Sequence, residues 1–596
     1  MDRLCYIYIF NYRNLINVGF SFDPRYEISV IPEQKLVEIR RNKDFPEKFW
    51  GDHIYSLTAI IGKNGTGKST ALRFALEALV EGSGGRRALQ GIVVTVDDGE
   101  RLSIYTPENL QREYRIAGED IQIDGVEKME DLPSMESFYY GAHFNPLASP
   151  EDILTQRWSG LVNVSDGYLL TRDLQDYGNE LATNGFYPLR DYATAYNSQN
   201  QYRICYFLNQ YESAIKKELR LPRYVLVFPN KAGEWAINNR IRFDKKIELP
   251  SCEIPQDWEE LDKVLAEIIY HDMVNLMADR MGTPEQWLPL ITEWVKTSVK
   301  DYSGSIIDDY GRFVQGIKDV QCQELCGYIL ECVNMLGNFC HVKGNGFRSW
   351  LYFDTETDKD LLAVLLNWIV IHKVYLTSRF FDMYYTHSFE SFSTLSSGEQ
   401  ALLNLYSRIY DVIIRQKQRG FSEKVPQLYI FDEAEIGLHP EWQRRFVYNI
   451  GAFIGNICEW TNTKCQIVIT SHSPIVLSDI PVQCCNVLEL GENKETKNVT
   501  ETRKQTFGTN VFELYRDGFF LDGGMVGEYA SAFIQRLDKA IENATPDERD
   551  GLKRDVMLVG DRVVRDYLMG KLYTEDKEGL KDYYKKMLED LEDEQN

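Results

Sequence analysis

The run Gly62-Lys-Asn-Gly-Thr-Gly-Lys-Ser-Thr70 constrains this chain more than any other. An apolar stretch before it, Tyr55–Ile61, reads as a buried strand. The stretch after it, Lys68–Val80, places Ala71, Leu72, Ala75, Leu76 and Leu79 on one side of a helix. Gly62, Gly65 and Gly67 stand in the turn between. Glycine adopts positive φ and lets backbone N–H groups close on phosphate oxygens, and a helix N-terminus turns its positive dipole end to the same anion. Lys68 is placed to reach β and γ phosphates, and Ser69 to ligate Mg²⁺. The pattern predicts an α/β fold whose nucleotide lies on Gly62, Asn64, Gly65, Thr66, Gly67, Lys68, Ser69 and Thr70.

Three later segments suit the same chemistry. Leu428–Phe431 is a short apolar strand ending in Asp432, where a carboxylate can hold Mg²⁺ beside the glycine turn. Glu433 follows and is placed to polarise a water for attack on the γ phosphate. Ile467–Thr470 reads as another buried strand, and His472, just beyond it, fits a γ-phosphate sensor. Ser396 and Glu399 make an S-x-x-E capping box. The helix it opens extends to about Gln416, with Leu402, Leu403, Tyr406, Ile409, Tyr410 and Ile413 inside. Ser396, Gly398, Glu399 and the free N–H groups there form a second anion site.

Taken in chain order, the glycine turn at Gly62–Thr70, the capping box at Ser396–Glu399, Asp432-Glu433 and His472 resemble the ABC-type ATPases, and within them the RecF/SMC/OLD branch. Asn11-Tyr12-Arg13, after the strand Leu4–Phe10, resembles the opening of that branch, which implies that Arg13 approaches the nucleotide. Glu433 through Glu435 to Leu438-His439-Pro440 resembles its Walker B segment, with Ala434 where proline is usual. The resemblance implies an ATP- and Mg²⁺-dependent hydrolase. In such proteins the signature at Ser396 closes over ATP held by a partner's P-loop, which implies a head-to-tail homodimer or a higher homo-oligomer. The glutamine that the family carries after a strand is absent here. The matching strand is Ser137–Gly141, and His143 or Asn145 substitutes.

Composition frames the partners. The net charge of −24 over 596 residues opposes non-specific adhesion to nucleic acid, so DNA contact needs a local basic patch or another protein. The best short basic cluster, Lys216-Lys217 with Arg220 and Arg223, reads as a solvated helix face. No export signal is read. The most apolar stretch, Leu361–Leu376, is interrupted by Asn367, His372 and Lys373 and reads as a core helix, so no membrane partner is expected. The 11 cysteines form no C-x-x-C pair and read as buried small hydrophobes in a reducing cytoplasm.

The expected organisation is a head interrupted once. Residues 1–146 form its β-rich first part, with a hairpin of Val93–Val96 and Leu102–Tyr105. Residues 147–390 form a mostly helical inserted lobe with a strand at Tyr224–Phe228. Residues 391–500 complete the head, and residues 501–596 form a helical C-terminal region. Gln505–Asn510, Phe519–Asp522 and Gly527-Glu528 resemble PtuA-like ATPases of Septu and retron-associated anti-phage systems, which act beside an HNH nuclease. That likeness implies an HNH-type partner, and in a retron setting a reverse transcriptase with its DNA. Val556–Asp561 echoes the start of a Toprim nuclease but lacks the catalytic Glu, and no D-x-D follows it, so no nuclease is expected within this chain. A RecF-like repair ATPase that binds DNA directly, and a scaffold that uses ATP only to assemble, are the competing readings.

Overall fold

The computed structural model describes residues 2–80, 88–110, 113–119, 121–142, 158–169, 200–210, 222–229, 248–281, 284–344, 349–371, 381–387, 389, 396–418, 425–516, 526–545, 548–574 and 578–585. By contact density the chain divides into two compact units, Met1–Gly508 and Thr509–Asn596.

The first unit is built on a seven-stranded sheet. In spatial order its strands are Leu161–Asn163, Ser137–Gly141, Leu428–Asp432, Cys465–Ser471, Ile54–Gly62, Cys485–Leu490 and Thr496–Asn498. All neighbours pair in parallel except the last two, which are antiparallel. Leu428–Asp432 and Cys465–Ser471 are buried at every position, which explains why they read as continuous apolar runs. A second, five-stranded sheet contains Leu15–Ser21, Arg3–Tyr12, Gln90–Val96, Arg101–Thr106 and Gln122–Lys128. Val96 faces Leu102 across the expected hairpin.

The helix Lys68–Leu79 fills the space between these two sheets. Leu72, Leu76 and Leu79 pack with Ile7 and Ile9 from one sheet and with Ile60, Ile430 and Val468 from the other. Two buried amides stitch the sheets together. Gln466 Oε1 accepts the Leu4 N–H at 2.7 Å, and Gln466 Nε2 donates to the Leu4 carbonyl at 2.8 Å. Asn486 does the same with both main-chain groups of Ser21 at 2.8 Å. Each amide thus meets a main-chain N–H and a main-chain carbonyl of one residue at once.

Between residues 200 and 390 the described chain contains the helices Glu260–Arg280, Pro284–Lys300, Ile306–Gly316, Val320–Phe339 and Lys359–Ile371. It also carries a four-stranded sheet, His341–Gly344, Ser349–Asp354, Tyr224–Pro229 and Phe381–Thr386, all antiparallel. Three of these strands add to the one expected at Tyr224–Phe228. His341–Gly344 and Ser349–Asp354 pair as near neighbours, but Tyr224–Pro229 joins Ser349–Asp354 and Phe381–Thr386 from far away in sequence, which no local pattern signals. Cys322, Cys326 and Cys332 are buried along one helix, and burial pushes their thiols above the ordinary range. His341 pairs with Asp358 at 3.0 Å. Lys216, Lys217, Arg220 and residues 519–522 lie outside the described residues, while Arg223 pairs with Asp354 at 2.9 Å. Among the described residues no helix is long and apolar enough to cross a membrane.

Gly508 donates its N–H to the Ser478 carbonyl at 2.9 Å, and the Thr506 hydroxyl bonds the Ile480 carbonyl, so the Gln505–Gly508 stretch docks behind the helix Pro474–Leu477. The second unit is helical. Glu528–Glu542, Arg549–Val556 and Arg562–Leu572 bury Leu537, Ile541, Val556, Leu568 and Leu572 together. Asp561, in the Toprim-like stretch, is the N-cap of the last of these helices and accepts the Val564 N–H at 3.0 Å.

Candidate functional site

The glycine turn is shaped by what its glycines touch. Gly65 and Gly67 take φ of +82° and +95°. A Cβ on Gly67 would stand 2.6 Å from Leu15 Cδ2 and 3.1 Å from Asn14 Nδ2, so a side chain there would displace the turn before the second strand. Thr66 closes the loop: its N–H and hydroxyl donate to the Lys63 carbonyl at 3.3 and 2.8 Å, and its own carbonyl accepts the Thr496 hydroxyl at 3.0 Å. Asn64 is exposed, and Thr70 is half-buried in the first helical turn. Arg13, at φ 55°, stands exposed in the same Tyr12–Leu15 turn that abuts Gly67, with its guanidinium 5.4 Å from the Tyr12 ring centre.

Lys68, Ser69, Asp432, Glu433 and His472 converge because their strands are neighbours. Asp432 is in register with Thr470, and Thr470 with Ile60, so three parallel strands end along one edge. Ligands of open α/β sheets sit at this carboxyl edge. Lys68, 5% exposed, donates to the carbonyls of Gly62 at 2.9 Å and Lys63 at 3.3 Å, and its ammonium lies 3.2 Å from Glu433 Oε1. Ser69 donates to Asp432 Oδ1 at 3.2 Å. The same carboxylate accepts the Thr470 hydroxyl on Oδ1 and the Tyr139 hydroxyl, at 2.9 Å, on Oδ2. Glu433 is a non-glycine residue at φ 52°, a conformation that costs about 1–2 kcal/mol. Its N–H compensates with bonds to the Thr470 carbonyl at 3.1 Å and hydroxyl at 3.0 Å. The His472 ring is 40% exposed and sets Nδ1 3.5 Å from Glu433 Oε1.

The donor set fits the groups that the sequence implied. Ser69 and Asp432 offer a hydroxyl and a carboxylate oxygen side by side, the hard ligands that Mg²⁺ takes, and the positive-φ turn with Lys68 suits a chain of phosphates.

Ser396 and Glu399 form the expected reciprocal cap. Glu399 Oε2 accepts the Ser396 N–H at 2.7 Å and its hydroxyl at 2.8 Å, and Ser396 Oγ accepts the Glu399 N–H at 3.3 Å. The helix runs Ser397–Gln418, and the six apolar residues expected inside it are buried. Gly398 is buried against the segment that follows Glu433: a Cβ there would come within 2.8 Å of Trp442 Cζ3 and 3.3 Å of the Gly437 carbonyl.

His143 and Asn145 lie outside the described residues. The strand before them brings Tyr139 to Asp432, a contact the sequence reading did not foresee. The parallel pairing of Ser137–Gly141 with Leu428–Asp432 produces it. Glu435 and Ser471 were missed in their roles as well. Glu435 is 2% exposed, accepts the Ser471 hydroxyl, and is pushed above the ordinary carboxyl range by burial, against the pull of that hydrogen bond.

Residues 353–478 match the family described as "AAA domain, putative AbiEii toxin, Type IV TA system". The matched span holds Ser396, Gly398, Glu399, Asp432, Glu433 and His472, and the glycine turn at Gly62–Thr70 precedes it. The chain carries an α/β nucleotide-binding head, and the match supports a P-loop ATPase of the RecF/SMC/OLD-like class.

Proposed function

We propose that this chain is the ATP-binding and ATP-hydrolysing subunit of a bacterial anti-phage defence complex, in which nucleotide governs a separately encoded nuclease. The observation that carries the hydrolytic reading is the convergence of Lys68, Ser69, Asp432, Glu433 and His472 at one sheet edge. In this reading Lys68 draws the β and γ phosphates into the glycine turn, in competition with its pairing to Glu433. Ser69 and Asp432 hold Mg²⁺, which when bound neutralises phosphate charge. Glu433 accepts the proton of the attacking water, and His472 senses the γ phosphate. Arg13 flanks the nucleotide. Ser396, Gly398 and Glu399 serve the ATP of a second copy in a head-to-tail dimer.

The defence setting rests on the toxin–antitoxin wording of the matched family and on the likeness of Gln505–Asn510 and Gly527-Glu528 to PtuA-like ATPases. The net charge of −24 favours it over direct DNA repair. Turnover of the purified chain tests the hydrolytic core. Glu433→Gln keeps ATP affinity and lowers kcat by at least about 10²-fold, because the water loses its base while the phosphate contacts persist. Wild-type turnover in that variant removes the role given to Glu433.

A further inference from the structure

We infer that Glu435 is a positioning residue of the hydrolytic site, holding the loop that carries His472 through a chain of buried and partly buried hydrogen bonds. The inference rests on the ATPase reading above. Glu435 leaves the turn after Asp432 and reaches across to the end of the neighbouring strand, where its Oε1 accepts the Ser471 hydroxyl. Ser471 is fully buried, and its Oγ also accepts the Ser473 N–H at 2.9 Å. Ser473 donates its hydroxyl to Gln443 Oε1 at 2.9 Å, and the Gln443 amide donates to the Leu438 carbonyl at 3.0 Å. Both residues flanking His472 are thus tied to the 435–443 segment.

Among the described residues His472 Nδ1 has no hydrogen-bond partner and stands 3.5 Å from Glu433 Oε1, while the buried ties of this loop are made by its flanks. A glutamate here is a costly way to close a turn. It is 2% exposed, and its Oε2 has no hydrogen-bond partner among the described residues. Burying a polar atom unpaired forfeits its hydration without a bond in return. A residue kept at that cost beside a hydrolytic site, bonded to the very loop that presents the sensor, fits geometry that catalysis needs.

Steady-state ATPase kinetics of the full chain test this, with equilibrium ATP binding and melting measured alongside. Glu435→Ala and Ser471→Ala each lower kcat by about tenfold or more while KM stays within about twofold, since displacing a reacting group by about 1 Å costs up to 10²-fold and the phosphate contacts are untouched. The double variant falls no further than the worse single, because both residues act through one bond. Glu435→Gln, which keeps the acceptor for Ser471, recovers most of the rate. Glu435→Ala turning over at the wild-type kcat overturns the positioning role. So does a loss spread equally over kcat and ATP affinity with a lowered melting point, which marks a merely structural residue. A wild-type chain that binds but never hydrolyses ATP instead overturns the ATPase reading, and this inference with it.

Discussion

Lys68 shows how much one side chain is asked to do. Its ammonium is nearly buried, held by two carbonyls and the Glu433 carboxylate, at the mouth of a turn that admits no side chain at Gly67. Lys68→Ala removes the ammonium that contacts Glu433 and that, in the proposed reading, meets the phosphates. The expected outcome is loss of ATP affinity by at least about tenfold with the fold retained, read by equilibrium binding and circular dichroism. Glu435 gives a second residue-scale expectation, in stability. Burial raises its folded value above the ordinary carboxyl range near 4.5. A raised carboxyl lends its stability fully below that ordinary value and loses it as pH rises through the folded value. The melting point of wild type relative to Glu435→Gln therefore declines as pH climbs from about 4, and a constant difference across that range contradicts it.

At the scale of elements, the parallel strands bring Lys68, Ser69, Asp432, Glu433 and His472 together, and the capped helix carries the proposed second anion site. The helix Ser397–Gln418 begins with a closed Ser396–Glu399 cap, and its buried Gly398 rests on Trp442 and Gly437, in the segment after Glu433. The start of this helix is therefore braced on the segment after Glu433 of its own chain while, in the proposed dimer, it faces the nucleotide of another. Ser396→Arg places a bulky cation at that face. Each chain should still bind ATP, turnover should fall with it, and mixing with Lys68→Ala should restore at most one working site per heterodimer. Normal hydrolysis by Ser396→Arg excludes the composite site.

For the whole molecule, the first unit supplies an ATPase-type head, and the second supplies a helical cluster with Tyr529, Leu558 and Val563 exposed. The net charge of −24 gives nucleic acid little reason to bind without help. The expectation is a stable complex with a separately encoded nuclease, HNH in type, whose activity changes with ATP because open and closed heads bind it differently. Affinity purification from the native operon, followed by nuclease assays with and without ATP, checks it. Efficient DNA cleavage by this chain alone contradicts the division of labour, and tight DNA binding by a lone dimer at physiological salt favours the repair reading.

The sequence by itself determined the parts whose chemistry is local. A glycine turn, a capping box, and carboxylates or histidine after short β-rich runs each declare themselves within ten residues, because backbone conformation, helix caps and strand ends are set by near neighbours. Gly62–Ser69, Ser396–Glu399, Asp432-Glu433 and His472 were legible on that ground. Tertiary structure alone decided what those parts meet. Tyr139 reaches Asp432 across 293 residues, Ser69 reaches it across 363, and Gln466 stitches the first strand to the parallel sheet across 462. The left-handed turn at Glu433, the Glu435–Ser471 bond and the four-stranded sheet around Tyr224–Pro229 belong to the same class. Parallel strands are paired by crossovers whose length carries no local signature, so the register that brings a hydroxyl to a carboxylate is written only in the packed core.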